Sequence, residues 1–238
     1  MAERIFWTGV SRFHDWSDKA FLGRILGSAC EEGVLESLDW VSHQPGQRQT
    51  LHVEDPLQVP TRILEFAKPG PDSEIIFLEA GGSAPAPWTL TTQLPPFLPA
   101  HDRVWGYGIV SLLFESQGSA LSARLIKAFL KTHSPENTEY ACIHPYLHMH
   151  TLRDSIYKSP VTFVPMFSGV FWANFLGPGH IDLFDKRQLQ NMQGYLTKWT
   201  DDGRGLFLIM SENIADVQSS QMADELKRLT DQFRKALK

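Results

Sequence analysis

The sequence predicts an α+β fold, a mainly antiparallel sheet or sheets flanked by helices, and three observations carry that expectation. Apolar residues recur at three- and four-residue spacing in some segments and gather into short β-branched or aromatic runs in others, so helices and strands are both present. Several predicted strands follow one another with no helix between them, which requires antiparallel pairing. The Gly81-Gly82 pair after a strand is succeeded by Pro85 and Pro87 instead of a helix, so no nucleotide-binding crossover is signalled.

Taken in order, Arg4 to Val10 reads as a strand, and Ser17 is placed to cap a helix from Asp18 to about Ser37. Phe21, Leu22, Ile25, Leu26, Ala29, Val34 and Leu38 form its apolar stripe. A loop over His43 to Gln49 leads to a strand at Gln49 to Val53. A helix near Val59 to Ala67 is stopped by Pro69 and Gly70, and a strand follows at Glu74 to Glu79. Gly81 to Ala100 is rich in proline, which removes ladder donors and confines the stretch to edge strands or loops, with Thr89 to Leu94 still able to form a strand. Val104 to Phe114 reads as a buried strand with Gly106 and Gly108 as bulge or close-approach points. Ser119 to Lys131 reads as a helix with Leu121, Leu125, Ala128 and Phe129 inward. Strands at Glu139 to Met149 and Val161 to Met166 lead into a Gly- and aromatic-rich segment, Ser168 to Gly179. A helix near Ile181 to Met192, a strand at Leu206 to Met210 and a helix over Val217 to Leu237 complete the chain.

The 238 residues fit one domain, 1–238, in which the strand-then-helix echo of Ile5–Val10 and Phe21–Leu26 in Ile109–Phe114 and Leu121–Phe129 is consistent with two similar halves at about 1–98 and 99–238. A formal net charge of −5 argues against direct nucleic-acid binding, which needs clustered Lys and Arg, and suits a basic partner. The two cysteines, Cys30 and Cys142, fall in apolar patterns and indicate no disulfide framework. The opening residues lack the apolar core of a secretory signal, and no apolar run reaches the ~18–20 residues of a membrane span, so the expected location is cytoplasmic.

Chemical motifs are sparse. His144, His148 and His150 lie two or four apart, so on a strand they share a face and could ligate a metal, which makes a metal-dependent hydrolase the rival reading. No nucleophile elbow or phosphate loop occurs, and no cofactor is expected. The adjacent acids Glu54 and Asp55 point apart on any regular element. Asp182 and Asp185 share a helix face, where first-turn acids complement the helix dipole. Of seven tryptophans, Trp88, Trp105, Trp172 and Trp199 sit beside glycines or in polar contexts, where an aromatic can serve core or interface.

The segment Phe171-Trp172-Ala-Asn-Phe-Leu-Gly-Pro-Gly-His180-Ile, the strand Leu206-Phe-Leu-Ile-Met-Ser211, Glu212-Asn-Ile-Ala-Asp-Val217 and the terminal helix together resemble the C-terminal half of bacterial toxin-immunity proteins. Trp88-Thr-Leu-Thr after Gly-Gly resembles their middle. The resemblance is to the immunity-protein-52 family, whose members accompany restriction-endonuclease-fold nuclease toxins, including a type VI secretion effector of Pseudomonas. It implies a protein without catalysis of its own that neutralises a cognate toxin by direct non-covalent binding in the cytoplasm. On that reading the partner-binding residues are acidic, aromatic or loop-adjacent: Glu54, Asp55, Trp88, Trp105, Trp172, His180, Asp182 and Asp185. A secretion chaperone or adaptor would also bind a partner but would leave it active.

Overall fold

The computed structural model describes residues 3–13, 20–42, 47–66, 76–94, 106–116, 120–145 and 169–236. Ser17, Trp105, His148, His150 and the strand expected over Val161 to Met166 lie outside these residues.

The described chain runs β1 (Glu3–Phe13), α1 (Ala20–Glu31), β2 (Leu38–Ser42), β3 (Arg48–Val53), a 3-10 turn (Pro56–Gln58), α2 (Val59–Phe66), β4 (Ile76–Gly82), β5 (Trp88–Leu94), β6 (Gly106–Ser116), α3 (Ala120–Thr132) and β7 (Tyr140–Pro145). It continues through β8 (Ala173–Leu176), α4 (Pro178–Leu183), α5 (Lys186–Gln190), β9 (Leu196–Trp199), β10 (Leu206–Ile209), a second 3-10 turn (Ile214–Gln218) and α6 (Ser220–Ala236).

All ten strands join one antiparallel sheet in the order β3-β2-β4-β5-β6-β1-β7-β8-β10-β9, with helices packed against it. The expected α+β class with a mainly antiparallel sheet is therefore the observed one. Its centre is the longest ladder, β1 on β6, running from Glu3 opposite Ser116 to Phe13 opposite Gly106. The α1 connection leaves β1 and enters β2 four positions away. The α3 connection leaves β6 and enters β7 on the other side of β1. Crossing in this way, α1 packs against both α2 and α3 over the middle of the sheet.

The core follows from alternation on the strands and three- or four-residue spacing on the helices. Ile5, Trp7, Leu78, Ala80, Leu90, Leu112 and Phe114 are buried from the strands, and Phe21, Ile25, Leu26, Leu125 and Phe129 from the helices.

Where local structure departs from expectation, the cause is visible. The first helix ends at Glu31 and not near Ser37, because Gly33 takes φ 65° and the backbone N–H groups of Val34 and Leu35 fold back to the Ala29 carbonyl. Val34 and Leu38 still enter the core, which is why they extend the helical stripe in the sequence, but Leu38 starts β2. The helix expected over Ile181 to Met192 is two: Phe184 adopts an extended conformation and Asp185 caps α5, its side chain accepting the Arg187 N–H at 2.9 Å. The terminal helix starts at Ser220, after the 3-10 turn. Strands β8 and β9 have no strand signal of their own in the sequence. Ala173–Leu176 is fully buried and lacks alternation, and Leu196–Trp199 is the short outer strand of a hairpin with β10.

Candidate functional site

Strand β3 is one end of the sheet, and no strand pairs with its outer flank among the described residues. Arg48, Gln49, Thr50 and His52 are exposed, Leu51 is half-buried, and Val53 turns into the core. Its pairing with β2 shifts register between Leu38 and Trp40, so β3 carries an extra residue near His52. Beyond it Asp55 caps the 3-10 turn: Oδ1 accepts the Leu57 N–H at 3.1 Å and Oδ2 accepts the Gln58 Nε2–H at 3.1 Å, with Pro56 fixing the turn's first residue. This cap projects Leu57 outward, leaving it 74% exposed; it and Tyr195 are the large apolar residues left exposed in the described chain.

The same corner holds an ion cluster. His52 faces the Asp39 carboxylate through Nδ1 at 3.3 Å and the Glu54 carboxylate through Nε2 at 3.1 Å. Hydrogen bonds to Glu54 and then Asp39 hold its pKa above the ordinary imidazole value. At the opposite end of β3 the Arg48 guanidinium stacks 4.0 Å over the Trp40 ring. Trp40 in turn lies so close to Gly81 that a Cβ there would sit 2.6 Å from the indole. Two signals for this corner were in the sequence, Glu54-Asp55 and the Asp-Pro turn. The Asp39–His52 contact joins separate strands and had none.

The eight residues expected to bind a partner do not form one patch. Glu54 and Asp55 are exposed at the β3 corner, Asp182 is exposed on α4, and Asp185 is half-buried as the α5 cap. Trp105 lies outside the described residues. Trp88, Trp172 and His180 are interior groups. Trp88 is 3% exposed and donates Nε1–H to the Ser37 carbonyl at 3.1 Å. Trp172 is fully buried, and its Nε1–H is shared between the Ser211 carbonyl at 3.0 Å and Oγ at 3.1 Å. Such side chains have satisfied donors and no surface to offer a partner in this conformation. Seven inter-strand steps of about 4.8 Å separate β3 from β8, so Glu54 and the Trp172 region are on the order of 34 Å apart across the sheet. That exceeds what the centre of one standard interface spans.

The Gly-Pro-Gly-His landmark has a packing explanation. His180 is buried, its ring stacks on Tyr140 with centroids 5.1 Å apart, and Nδ1 donates to the Glu139 carbonyl at 3.0 Å. The Glu139 carboxylate is itself buried, 3.7 Å from Nδ1, and neither oxygen has a hydrogen-bond partner. The loop must close tightly over it. A Cβ on Gly177 would meet the Thr138 carbonyl at 2.2 Å, and one on Gly179 would meet Glu139 Oε1 at 2.0 Å.

A second buried imidazole, His133, carries no motif. Trp7 donates Nε1–H to its Nε2 at 3.1 Å, so Nδ1 bears the ring proton and donates to Thr138 Oγ1 at 3.0 Å. Phe21, Phe129 and Phe175 surround the ring, and burial, followed by the charge of Arg24, pushes its pKa down to about 3. Burial pushes both the Cys30 and the Cys142 thiols up to about 12, so neither is an activated nucleophile. Of the candidate metal ligands, His144 is buried on β7, where Nδ1 accepts the Trp172 backbone N–H at 3.1 Å and the ring meets Phe171 edge-on. No group of three or more metal-ligating side chains occurs among the described residues.

No known family model matches the sequence, and no curated protein matches it. By structure the chain is similar to the Pseudomonas aeruginosa type VI secretion system (T6SS) protein PA0821, with a TM-score of 0.52 at 10% identity, over 86% of this chain and 67% of that one. The two share a fold. Among the described residues no helix is long and apolar enough to cross a membrane.

Proposed function

We propose that this protein is an immunity protein that neutralises a cognate antibacterial toxin, a nuclease effector of a type VI secretion system, by direct non-covalent binding in the cytoplasm. The observation that carries the reading is the fold shared with the T6SS protein PA0821. The resemblance of Phe171 to His180 to the immunity-protein-52 family supplies the finer assignment. A nuclease toxin presents a basic groove to its substrate's phosphates, and an inhibitor of such a groove needs exposed carboxylates beside an apolar anchor. The β3 corner provides both, in Glu54, Asp55 and Leu57.

The test is co-expression with the product of the adjacent reading frame. Expression of that product alone should kill, co-expression should restore growth, and the two purified proteins should form a stable complex in which nuclease activity is lost. Binding that leaves the activity intact would instead make this chain a secretion adaptor. Absence of both protection and binding would refute the proposal.

A further inference from the structure

The two ends of the sheet are not equivalent. At one, β9 has four residues, with Lys198 exposed on it and the Asp201-Asp202 turn beyond. At the other, β3 has six residues, on the order of 20 Å of strand, and each non-proline residue carries a backbone donor and acceptor. Half of these point away from β2, where no described strand meets them. Natural proteins cover such an edge or blunt it with bulges and charged side chains, since an open one is a template for another chain. On β3 the bulge is confined to the His52 end, and Arg48 to Thr50 pair in regular register. The exposed Leu57, held by the Asp55 cap, follows the end of this edge in the chain, and the Glu54 and Asp39 carboxylates face the His52 ring on the edge itself.

We infer that β3 is a docking edge onto which an extended, cationic segment of the partner protein adds as an eleventh strand, with Leu57 as the apolar anchor and Asp39, Glu54 and Asp55 pairing with its Lys or Arg side chains. Three observations converge on that occupant. Outward backbone groups that no described strand pairs recognise an added strand and not a helix or a small molecule. An apolar side chain exposed to this extent gains most by being covered at the centre of a contact. The carboxylates of Asp39, Glu54 and Asp55 outnumber the single imidazole, His52, that Asp39 and Glu54 share, and this excess selects a basic segment over an acidic or neutral one, chiefly through encounter rate and rejection of other partners. The Arg48 guanidinium, stacked on Trp40 at the opposite end of the strand, leaves the acids dominant at the Leu57 end. The identity of the partner rests on the immunity reading; the mode of docking does not.

The experiment measures affinity for the purified product of the adjacent reading frame in five variants: Gln49→Pro, Thr50→Pro, Glu54→Lys, Leu57→Lys and Lys198→Glu. Neighbouring strand residues direct their N–H groups to opposite sides, so one proline variant breaks the β2 ladder and the other removes an outward donor. The one that keeps the wild-type melting temperature is the informative one. It and Leu57→Lys should bind at least tenfold more weakly, Glu54→Lys should bind more weakly with a flatter salt dependence, and Lys198→Glu should bind as wild type. If both proline variants unfold, Leu57→Lys decides. Neutralisation by the wild type with full affinity in the retained proline variant and Leu57→Lys would overturn the docking edge and leave the immunity reading standing. Failure of the wild type to bind or neutralise would overturn the immunity reading and the assigned partner together. A wild-type dimer in ultracentrifugation that Leu57→Lys dissociates would show the edge covered by a second copy, and would overturn the inference.

Discussion

His133 makes folding stability depend on pH in a way that can be isolated. Its neutral ring accepts from Trp7, donates to Thr138 and is enclosed by Phe21, Phe129 and Phe175, so the folded protein resists protonating it until about pH 3. In the unfolded chain the same imidazole titrates near 6.5. The folded pKa is thus depressed: the stability His133 contributes is fully present above pH 6.5 and falls as pH drops toward 3, because only the unfolded state gains the proton. At pH 5 the loss relative to pH 8 is about 2 kcal/mol, the value of one and a half pH units at ~1.4 kcal/mol each. His133→Gln keeps an acceptor for Trp7 and a donor for Thr138 but cannot titrate. Urea denaturation of wild type and variant at pH 8, 6.5 and 5 measures the effect. The stability difference between them should shrink by about 2 kcal/mol from pH 8 to pH 5. His52, raised by its carboxylate neighbours, contributes with the opposite sign, and it cancels because both proteins contain it. The lowered carboxyl groups of Glu32, Asp202 and Glu225 lose their contributions only below the ordinary carboxylate range, outside the window used. Stability curves that stay parallel within about 0.5 kcal/mol over this range would refute the assignment of a neutral, proton-excluding His133.

Glycine substitutions should separate by what a Cβ would meet. Gly177→Ala strikes the Thr138 carbonyl and should cost about 2–4 kcal/mol in chemical denaturation, whereas Gly27→Ala faces open space inside α1 and should stabilise by about 0.5–1 kcal/mol. Trp172→Phe leaves the Ser211 acceptors unpaired and opens a void, which should lower stability by about 2–3 kcal/mol while partner affinity, measured well below the melting temperature, stays unchanged. A loss of affinity without loss of stability would instead place Trp172 in the interface. With both thiols buried and their pKa values near 12, Cys30 and Cys142 should stay unreactive toward an aromatic disulfide reagent at pH 8 in the native protein and react within minutes in urea. Rapid labelling of the native protein would contradict the burial.

What the sequence determined by itself was the class and most of the elements, because local periodicity and turn residues encode them. The stripe of Phe21, Ile25 and Ala29, the run around Leu112 and the amphipathic terminal helix each declare their type within a few residues. Glu54 and Asp55 were legible as loop-adjacent acids, between a predicted strand ending at Val53 and a predicted helix starting near Val59, and both are exposed. What only the tertiary structure decided was everything that joins distant segments. Trp88, Trp172 and His180 have the composition of interface residues, yet Ser37, Ser211 and Glu139, up to 51 positions away, satisfy them in the interior. The Gly-Pro-Gly landmark resembles a functional loop and proves to be clearance for a buried carboxylate. Likewise, no local pattern marks β3 as the end of the sheet. Strand order depends on which segments pair across the whole chain, so the edge that no described strand pairs, next to Leu57, belongs to the fold and not to any stretch of sequence.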